Sequence, residues 1–286
     1  VTLKQPDASA LVAAALREDL GKGDVTSRWC VPRSTRARAA LIARESGVAA
    51  GLGVFALAFR SLDASVKVRL LVGEGKRFRA GAVLARLEGP ARPLLAAERV
   101  ALNFSQRLCG IATLSAAYVA AARKGSPKAR VLDTRKTTPL LRELEKYAVA
   151  CGGAVNHRLR LDDAVLIKDN HIKAAGTVAE AVRRARASGL EVEVEVETSQ
   201  ELEEALASGA DIILLDNHSP ARARAAVERV RAFSKAAKRK VLTEASGGIV
   251  LKNVADYARA GVDRISVGAL THSPRALDLS LEFEVG

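Results

Sequence analysis

The chain has 286 residues, of which 49% are hydrophobic and 27% charged, with a formal net charge of +13. That length is enough for one or two hydrophobic cores, and that balance excludes a disordered or fibrous chain. No apolar run is long enough to cross a bilayer, and VTLKQPDASALVAAALRED at the start lacks the layout of a signal peptide, so a cytoplasmic location is expected. Cys30, Cys109 and Cys151 are odd in number, far apart and without CxxC spacing. They read as small apolar fillers rather than as a disulfide framework or a zinc site.

The surplus of positive charge would attract nucleic acid, an anionic membrane or a polyanionic small molecule. Much of it falls on the helix-like stretch from Arg222 to Lys240, where a solvated face accounts for it. Aromatic residues make up only 3% of the chain, so the stacking platform of a single-strand binder is missing. No nucleic acid and no membrane partner is expected, which leaves a small anion.

The style of the sequence changes near residue 112. From Ala37 to Leu87 the chain reads as short strands with glycine-rich turns, an α+β region with a sheet. Pro90 to Arg99 leads into a helical pattern carried by Val100, Leu102, Phe104 and Leu108, with an end predicted at Gly110. Six apolar runs follow, at Val131 to Asp133, Ala164 to Lys168, Val192 to Val196, Ile212 to Asp216, Val241 to Glu244 and Arg264 to Val267. Helical spacing separates most of them, at Thr177 to Ser188, Ser199 to Ser208, Pro220 to Ala237 and Leu251 to Arg259. Strands alternating with helices imply parallel βαβ units. A barrel and an open doubly wound sheet both satisfy that pattern. Nearly every run ends in polar or reactive residues (DTRK, KDNH, EVET, LDNH, TEASGG, SVGAL), and a barrel brings all such ends to one mouth, so a barrel-like α/β domain is favoured.

Those strand ends carry the chemistry. In DTRKTTP, Arg135 and Lys136 follow a strand with hydroxyls beside them, and a guanidinium forks onto carboxylate or phosphate while an ammonium supplies a point charge. NHRLRLDDAVLIKDNH adds His157, Arg158, Lys168 and His171. Lys168 interrupts an apolar run, where a lysine needs a partner; an ion pair with Asp162, Asp163 or Asp169 is the structural alternative to a substrate role. All four histidines, His157, His171, His218 and His272, fall in or just after strand-end motifs, and none has the spacing of a metal-binding helix.

Glu191, Glu193, Glu195 and Glu197 alternate with valine and so share one strand face. If that face is the barrel interior, some of them must meet cations; a solvated edge strand is the other possibility. Glu195 or Glu197, with Asp216 at the next strand end, could hold Mg²⁺ directly or through water, or bond sugar hydroxyls. The turns ASGG at Ala245 to Gly248 and VGAL at Val267 to Leu270 each follow a strand, and backbone amides at such turns cradle phosphate.

Together these segments closely resemble the quinolinate phosphoribosyltransferase family. The resemblance runs almost end to end, through EDLGKGDVTS, AERVALNFSQRLCGIAT, DTRKTTP, KYAVACGGAVNHRLRLDDAVLIKDNHI, LLDN, EASGGI and ISVGALTHS. It implies an N-terminal α+β domain (residues 1–112, joined by the tail 273–286) beside an incomplete TIM-like α/β barrel (113–272), in a homodimer with a shared active site. It also implies the reaction of quinolinate with phosphoribosyl pyrophosphate and Mg²⁺ to give nicotinate mononucleotide, pyrophosphate and CO₂. By motif, Arg135, His157, Arg158 and Lys168 would hold the quinolinate carboxylates, beside Thr134, with Arg99 reaching in from the partner. Lys136 would meet the phosphoribosyl donor, Glu195 and Asp216 its ribose and metal, and Ser246, Gly247, Gly248, Gly268, Ala269 and His272 its phosphate. Leu140, Ala154 and Arg160 depart from a pattern in which glycine is common, and they bear on loops at the pocket rim. A related enzyme of the same fold acting on nicotinate is the second reading, and a basic nucleic-acid-binding protein, supported by charge alone, is the third.

Overall fold

The structure is a computed structural model and describes residues Lys4 to Val285. In chain order, α1 (Ser9–Leu20), α2 (Val25–Cys30), β1 (Arg36–Ala43), β2 (Gly47–Val48), α3 (Leu52–Leu62), β3 (Lys67–Leu70), β4 (Arg77–Phe78) and β5 (Val83–Pro90) lead into α4 (Ala91–Gly125). There follow β6 (Arg130–Leu132), α5 (Arg142–Cys151), β7 (Val165–Ile167), α6 (Asp169–Ala175), α7 (Val178–Arg186), β8 (Val192–Val196) and α8 (Ser199–Ser208). The rest are β9 (Ile212–Asp216), α9 (Pro220–Ala236), β10 (Leu242–Ser246), α10 (Val254–Ala260), β11 (Arg264–Ser266), α11 (Ala269–His272) and β12 (Leu279–Val285). The chain divides into two compact units: Val1–Ala116 with Thr137–Gly153 and Leu270–Gly286, and Ala117–Lys136 with Ala154–Ala269.

The first unit is α+β. Its main sheet is antiparallel in the order β12-β1-β5-β3. On β1, Ala37, Ala39, Leu41 and Ala43 are buried while Arg36 and Arg38 are exposed, the period of two expected of a sheet with one covered face. α3 buries Leu52, Val54, Phe55, Ala56, Ala58 and Phe59, and the rings of Phe55 and Phe59 meet edge to face at 5.0 Å. The Glu74 carboxylate accepts the backbone N–H groups of Gly51 and Leu52, each at 2.8 Å, and so satisfies the open donors at the start of α3.

The helix expected to stop at Gly110 runs 35 residues, to Gly125. Gly110 is a packing notch instead of a stop: a methyl group there would lie 2.1 Å from the Arg275 carbonyl oxygen. The close approach lets Leu277 N–H reach the Gln106 carbonyl (2.9 Å) and Gln106 Nε2 reach the Leu279 carbonyl (2.8 Å), fastening the chain just before β12 along the helix. α5 was not legible as a helix of ordinary amphipathic pattern, because it buries Glu145 and Lys146 beside Leu144 and Tyr147. Glu145 is fully buried and accepts Arg107 Nε at 2.8 Å and the Thr138 N–H at 3.1 Å.

In the second unit each of the six apolar runs becomes a strand, and all six lie parallel in the order β6-β11-β10-β9-β8-β7. The sheet leaves β6 and β7 as its two edges, so it is an incomplete α/β barrel. At the β6 edge the segment around Val155 lies parallel to the strand, with Val155 N–H on the Val131 carbonyl (2.9 Å) and Asp133 N–H on the Val155 carbonyl (3.2 Å). Three of its helices start on capping side chains. Thr177 accepts Glu180 N–H, Thr198 and Glu201 form a reciprocal capping box, and Ser219 precedes Pro220 at the first helical position. The basic stretch around α9 caps the other helix ends: Arg231 donates to the Gly261 carbonyl at 2.9 Å and Arg239 to the Ala210 carbonyl at 2.7 Å. Arg229 pairs with Glu203. Much of the positive charge therefore serves the outside of the barrel.

Leu140, in the first unit, adopts φ 66°, a left-handed conformation that costs a residue with a Cβ about 1–2 kcal/mol. Its side chain is 84% exposed, so little burial offsets that cost. Leu140→Gly should raise the unfolding free energy by roughly 0.5–1 kcal/mol after the added flexibility of glycine is counted, read as a higher denaturation midpoint in urea.

Candidate active site

The C-terminal ends of β6 to β10, together with the 156–158 turn and Ser266 on β11, line one cleft of about 590 Å³ within the second unit, a size ordinary for a small-molecule site. Thr134, Arg135 and Lys136 line it from the end of β6, His157 and Arg158 from the turn beside the Val155 bridge, and Lys168 from the end of β7. Glu195, Asp216, Ser246, Gly247 and Gly248 line it from β8, β9 and β10. Gly268 and Ala269 follow β11 outside this lining, while Arg99, exposed on α4, and His272, exposed at the end of α11, belong to the first unit.

Strand register brings the charged residues together. Ile167 of β7 stands opposite Val194 of β8, so the next residues, Lys168 and Glu195, are neighbours, and the lysine Nζ forms an ion pair with Glu195 Oε2. Lys168 thus takes its partner from the adjacent strand instead of from the nearby aspartates. Its side chain is 47% exposed and that of Glu195 only 12%, which leaves the ammonium facing the open cleft. His171 Nδ1 accepts the Lys168 backbone N–H at 2.9 Å and so fixes the turn from which the lysine springs.

Of the four alternating glutamates, Glu193 and Glu195 point inward, whereas Glu191 and Glu197 lie just beyond the strand ends and are exposed. Glu197 is carried outward because the capping box begins there: its own N–H donates to Glu201 at 2.8 Å. On the next strand, Asp216 Oδ2 accepts Asn217 Nδ2 at 2.6 Å, and Asn217 has φ 51°. A methyl group at Gly247 (φ 90°) would lie 2.1 Å from Asn217 Oδ1, so only glycine lets the 246–248 turn lie against the Asp216 corner. Gly248 also has positive φ (61°), and two such residues in succession leave backbone free to face a ligand. His218, by contrast, is buried and its Nδ1 donates to the Asp216 carbonyl at 3.0 Å, while Tyr257 Oη donates to the His218 carbonyl at 2.9 Å; it braces the corner from behind.

Beneath the mouth lies a cluster that the motifs did not single out. His157 Nε2 is 3.0 Å from Glu193 Oε2 and 3.5 Å from Glu244 Oε1. Glu193 is 3% exposed and Glu244 fully buried, with the Ser266 hydroxyl donating to Glu244. Glu193 belongs to the alternation of β8, and Glu244 lies in TEASGG, ahead of its glycines. These three residues could hold a cation among the described residues, their ligand atoms all lying within 4.8 Å of one another. The Arg158 guanidinium is held below its usual pKa by burial and by neighbouring Arg135, against the pull of Glu193 and Asp163.

Burial first, and then the Glu193 carboxylate, raise the Glu244 pKa from 4.5 to about 7. A raised folded-state pKa means that the folded chain binds more protons than the unfolded one between about pH 4.5 and 7, so this group's contribution to stability falls as pH rises through that window. Glu244→Gln should therefore flatten the stability profile between those limits relative to the parent chain, measured by urea denaturation at a series of pH values.

Known proteins resemble this chain along nearly its whole length. The family model for the C-terminal domain of quinolinate phosphoribosyl transferase matches residues 111–282, and that for the N-terminal domain matches residues 24–109. The nicotinate-nucleotide pyrophosphorylase [carboxylating] of Mycobacterium leprae is 44% identical over 278 residues, covering 95% of each chain. A probable enzyme of the same name from Bacillus subtilis is 43% identical over 268 residues, 93% of this chain and 89% of its own. The solved nicotinate-nucleotide pyrophosphorylase of Francisella tularensis superposes with a TM-score of 0.92 at 39% identity, covering 99% of this chain and 98% of that one. With both domain models matched in order and relatives above 40% identity along nearly the whole length, the chain belongs to the quinolinate phosphoribosyl transferase family.

Proposed function

We propose that this chain transfers the phosphoribosyl group of phosphoribosyl pyrophosphate to the ring nitrogen of quinolinate, releasing pyrophosphate and CO₂ and forming nicotinate mononucleotide for NAD synthesis. The observation that carries the reading is one cleft lined together by Arg135, Arg158, Lys168, Glu195 and Asp216, with a two-glycine turn beside them. Guanidinium groups fork onto carboxylates, so a pyridine dicarboxylate suits Arg135 and Arg158 better than a monocarboxylate does. Lys136 at the cleft wall suits the donor's phosphates, and Ser246 with the Gly247 and Gly248 backbone suits its 5′-phosphate.

The chemistry needs no nucleophilic side chain. The pyridine nitrogen supplies the electron pair, the bond from the sugar C1 to the pyrophosphate oxygen breaks, and positive charge builds on the ribose. Glu195 and Asp216 carboxylates stabilise that charge while the arginines align the ring for attack. The 2-carboxylate then leaves as CO₂, its electron pair remaining at C2 beside the positive ring nitrogen until a proton from water replaces it. Lys168 favours this step by placing a cation near the developing carbanion.

Glu195 and Asp216 also fit Mg²⁺, being hard oxygen donors on adjacent strands that line the same cleft as the turn for the phosphate. The ion would neutralise the departing pyrophosphate. Arg99 is exposed on α4, which supports a role offered to a second subunit in a homodimer. All three cysteines are free and Cys30 is exposed, which supports a reducing cytoplasmic compartment. No helix among the described residues is long and apolar enough to cross a membrane.

The test is product analysis with quinolinate, phosphoribosyl pyrophosphate and Mg²⁺, in parallel with nicotinate as acceptor. Release of CO₂ with nicotinate mononucleotide is expected, and turnover of nicotinate in its place would point to the related monocarboxylate activity. Lys168→Ala should lower kcat by roughly 10²-fold or more. Because the Lys168 side chain is half exposed, the far-ultraviolet circular dichroism of that variant should match the parent chain.

A further inference from the structure

Two arginines that face one substrate repel each other before it arrives, and Arg158 feels both that repulsion and the cost of burial. Something must keep its guanidinium in place. Arg158 Nη1 donates to the Ala164 carbonyl at 3.0 Å, and its backbone N–H donates to His157 Nδ1 at 2.7 Å. A nitrogen that accepts carries no hydrogen, so the imidazole hydrogen belongs to Nε2, which lies 3.0 Å from Glu193 Oε2 and 3.5 Å from Glu244 Oε1. The His157 backbone N–H is fixed as well, donating to Asp133 Oδ1 at 2.8 Å, and Asp133 is fully buried. Glu193 Oε1 and Glu244 Oε2 are buried atoms with no hydrogen-bond partner, so these two acids are turned toward the imidazole at the expense of their own solvation.

We propose that Glu193 and Glu244 are positioning residues, which hold the His157 imidazole through Nε2 so that its Nδ1 fixes the backbone of Arg158 and sets the guanidinium that receives a substrate carboxylate. His157 is then the link between the buried acids and the cleft, since its Nδ1 is bonded to the Arg158 backbone while its Nε2 lies in charge contact with the acids. The carboxylate that orients a metal-bound histidine does the same work for a metal ligand; here it does so for an arginine. This inference rests on the proposed reading of the cleft as the quinolinate site, and its first consequence, the tautomer, is independent of that reading.

Nitrogen-15 NMR of the histidine rings in the full chain without substrate should show His157 as the Nε2–H tautomer; the Nδ1–H tautomer would overturn the proposal whatever the enzyme acts on. Steady-state kinetics of Glu193→Gln should show KM for quinolinate raised about tenfold, with KM for phosphoribosyl pyrophosphate, kcat and the melting midpoint changed far less. Glu193→Asp, which keeps the charge but shortens the reach, should recover only part of that loss. A fall in KM for quinolinate would overturn the idea, because deletion of a buried negative charge acting only at long range should tighten binding of a dianion. A parallel rise in both KM values would also sink it, as general loosening. So would a divalent metal ion retained in stoichiometric amount by the dialysed parent chain and lost by Glu193→Gln, since the three groups would then be its ligands. Absence of any turnover of quinolinate by the parent chain would count against the proposed reaction and leave the tautomer result standing.

Discussion

A carboxylate inside a barrel must be matched by a cation, by the polar edge of a neighbouring group or by a proton, and β8 and β10 put Glu193, Glu195 and Glu244 inside the same six-stranded sheet. In a low-dielectric interior an unmatched carboxylate costs several kcal/mol. Each acid is matched differently. Glu195, nearest the cleft, takes the Lys168 ammonium; Glu193 takes the His157 imidazole; Glu244, the deepest, keeps its proton to higher pH and accepts the Ser266 hydroxyl. This order, from ion pair at the mouth to proton at the floor, follows the decline in access to water. The placement of two cleft cations is linked to it, since Lys168 pairs with Glu195 directly and Arg158 meets the acids through His157.

The barrel makes such an arrangement possible because parallel strands deliver all their C-terminal ends to one side. The same short segments then do two jobs. Asp216 lines the cleft and, two residues on, His218 is buried to brace it, with Ser219 capping the next helix. Glu195 lines the cleft and, three residues on, Thr198 caps α8. After β8 and β9 the caps follow within two or three residues, so the last inward residue of each is closely set. That is why Glu195 faces the cleft and Glu197 faces water, although the two are identical in the alternation of the sequence.

The six strands were legible because each is a short run carried by apolar residues and bounded by polar ones, a pattern that depends mainly on burial. Strand-end motifs were legible for the same reason. What the sequence hid depends on particular neighbours. Gly110 looks like a helix stop until the Arg275 carbonyl is found against it, and nothing near Gly110 in the chain signals that contact. α5 buries Glu145 and Lys146, which breaks the usual apolar stripe, and the Arg107 guanidinium and Thr138 N–H that meet Glu145 come from outside the helix. Glu244 was hidden by its own motif. Its neighbours are glycines with an evident use, whereas the acid acquires meaning only when Glu193 and His157 arrive from other strands.

The cleft is also internally compensated before any ligand enters it. Lys168 and Glu195 neutralise each other, and Asp216 is held by Asn217. In the proposed reaction quinolinate replaces Glu195 as the partner of Lys168, and the freed carboxylate turns to the ribose or its metal. Binding is then an exchange of partners within preorganised groups, with much of the desolvation and ordering already complete. One substrate would thereby prepare the acid that the other needs. Such an exchange requires Lys168 to move while Arg158 does not, and the bonds differ accordingly: a single half-exposed ion pair holds the lysine, whereas the arginine is tied at its backbone and at its guanidinium.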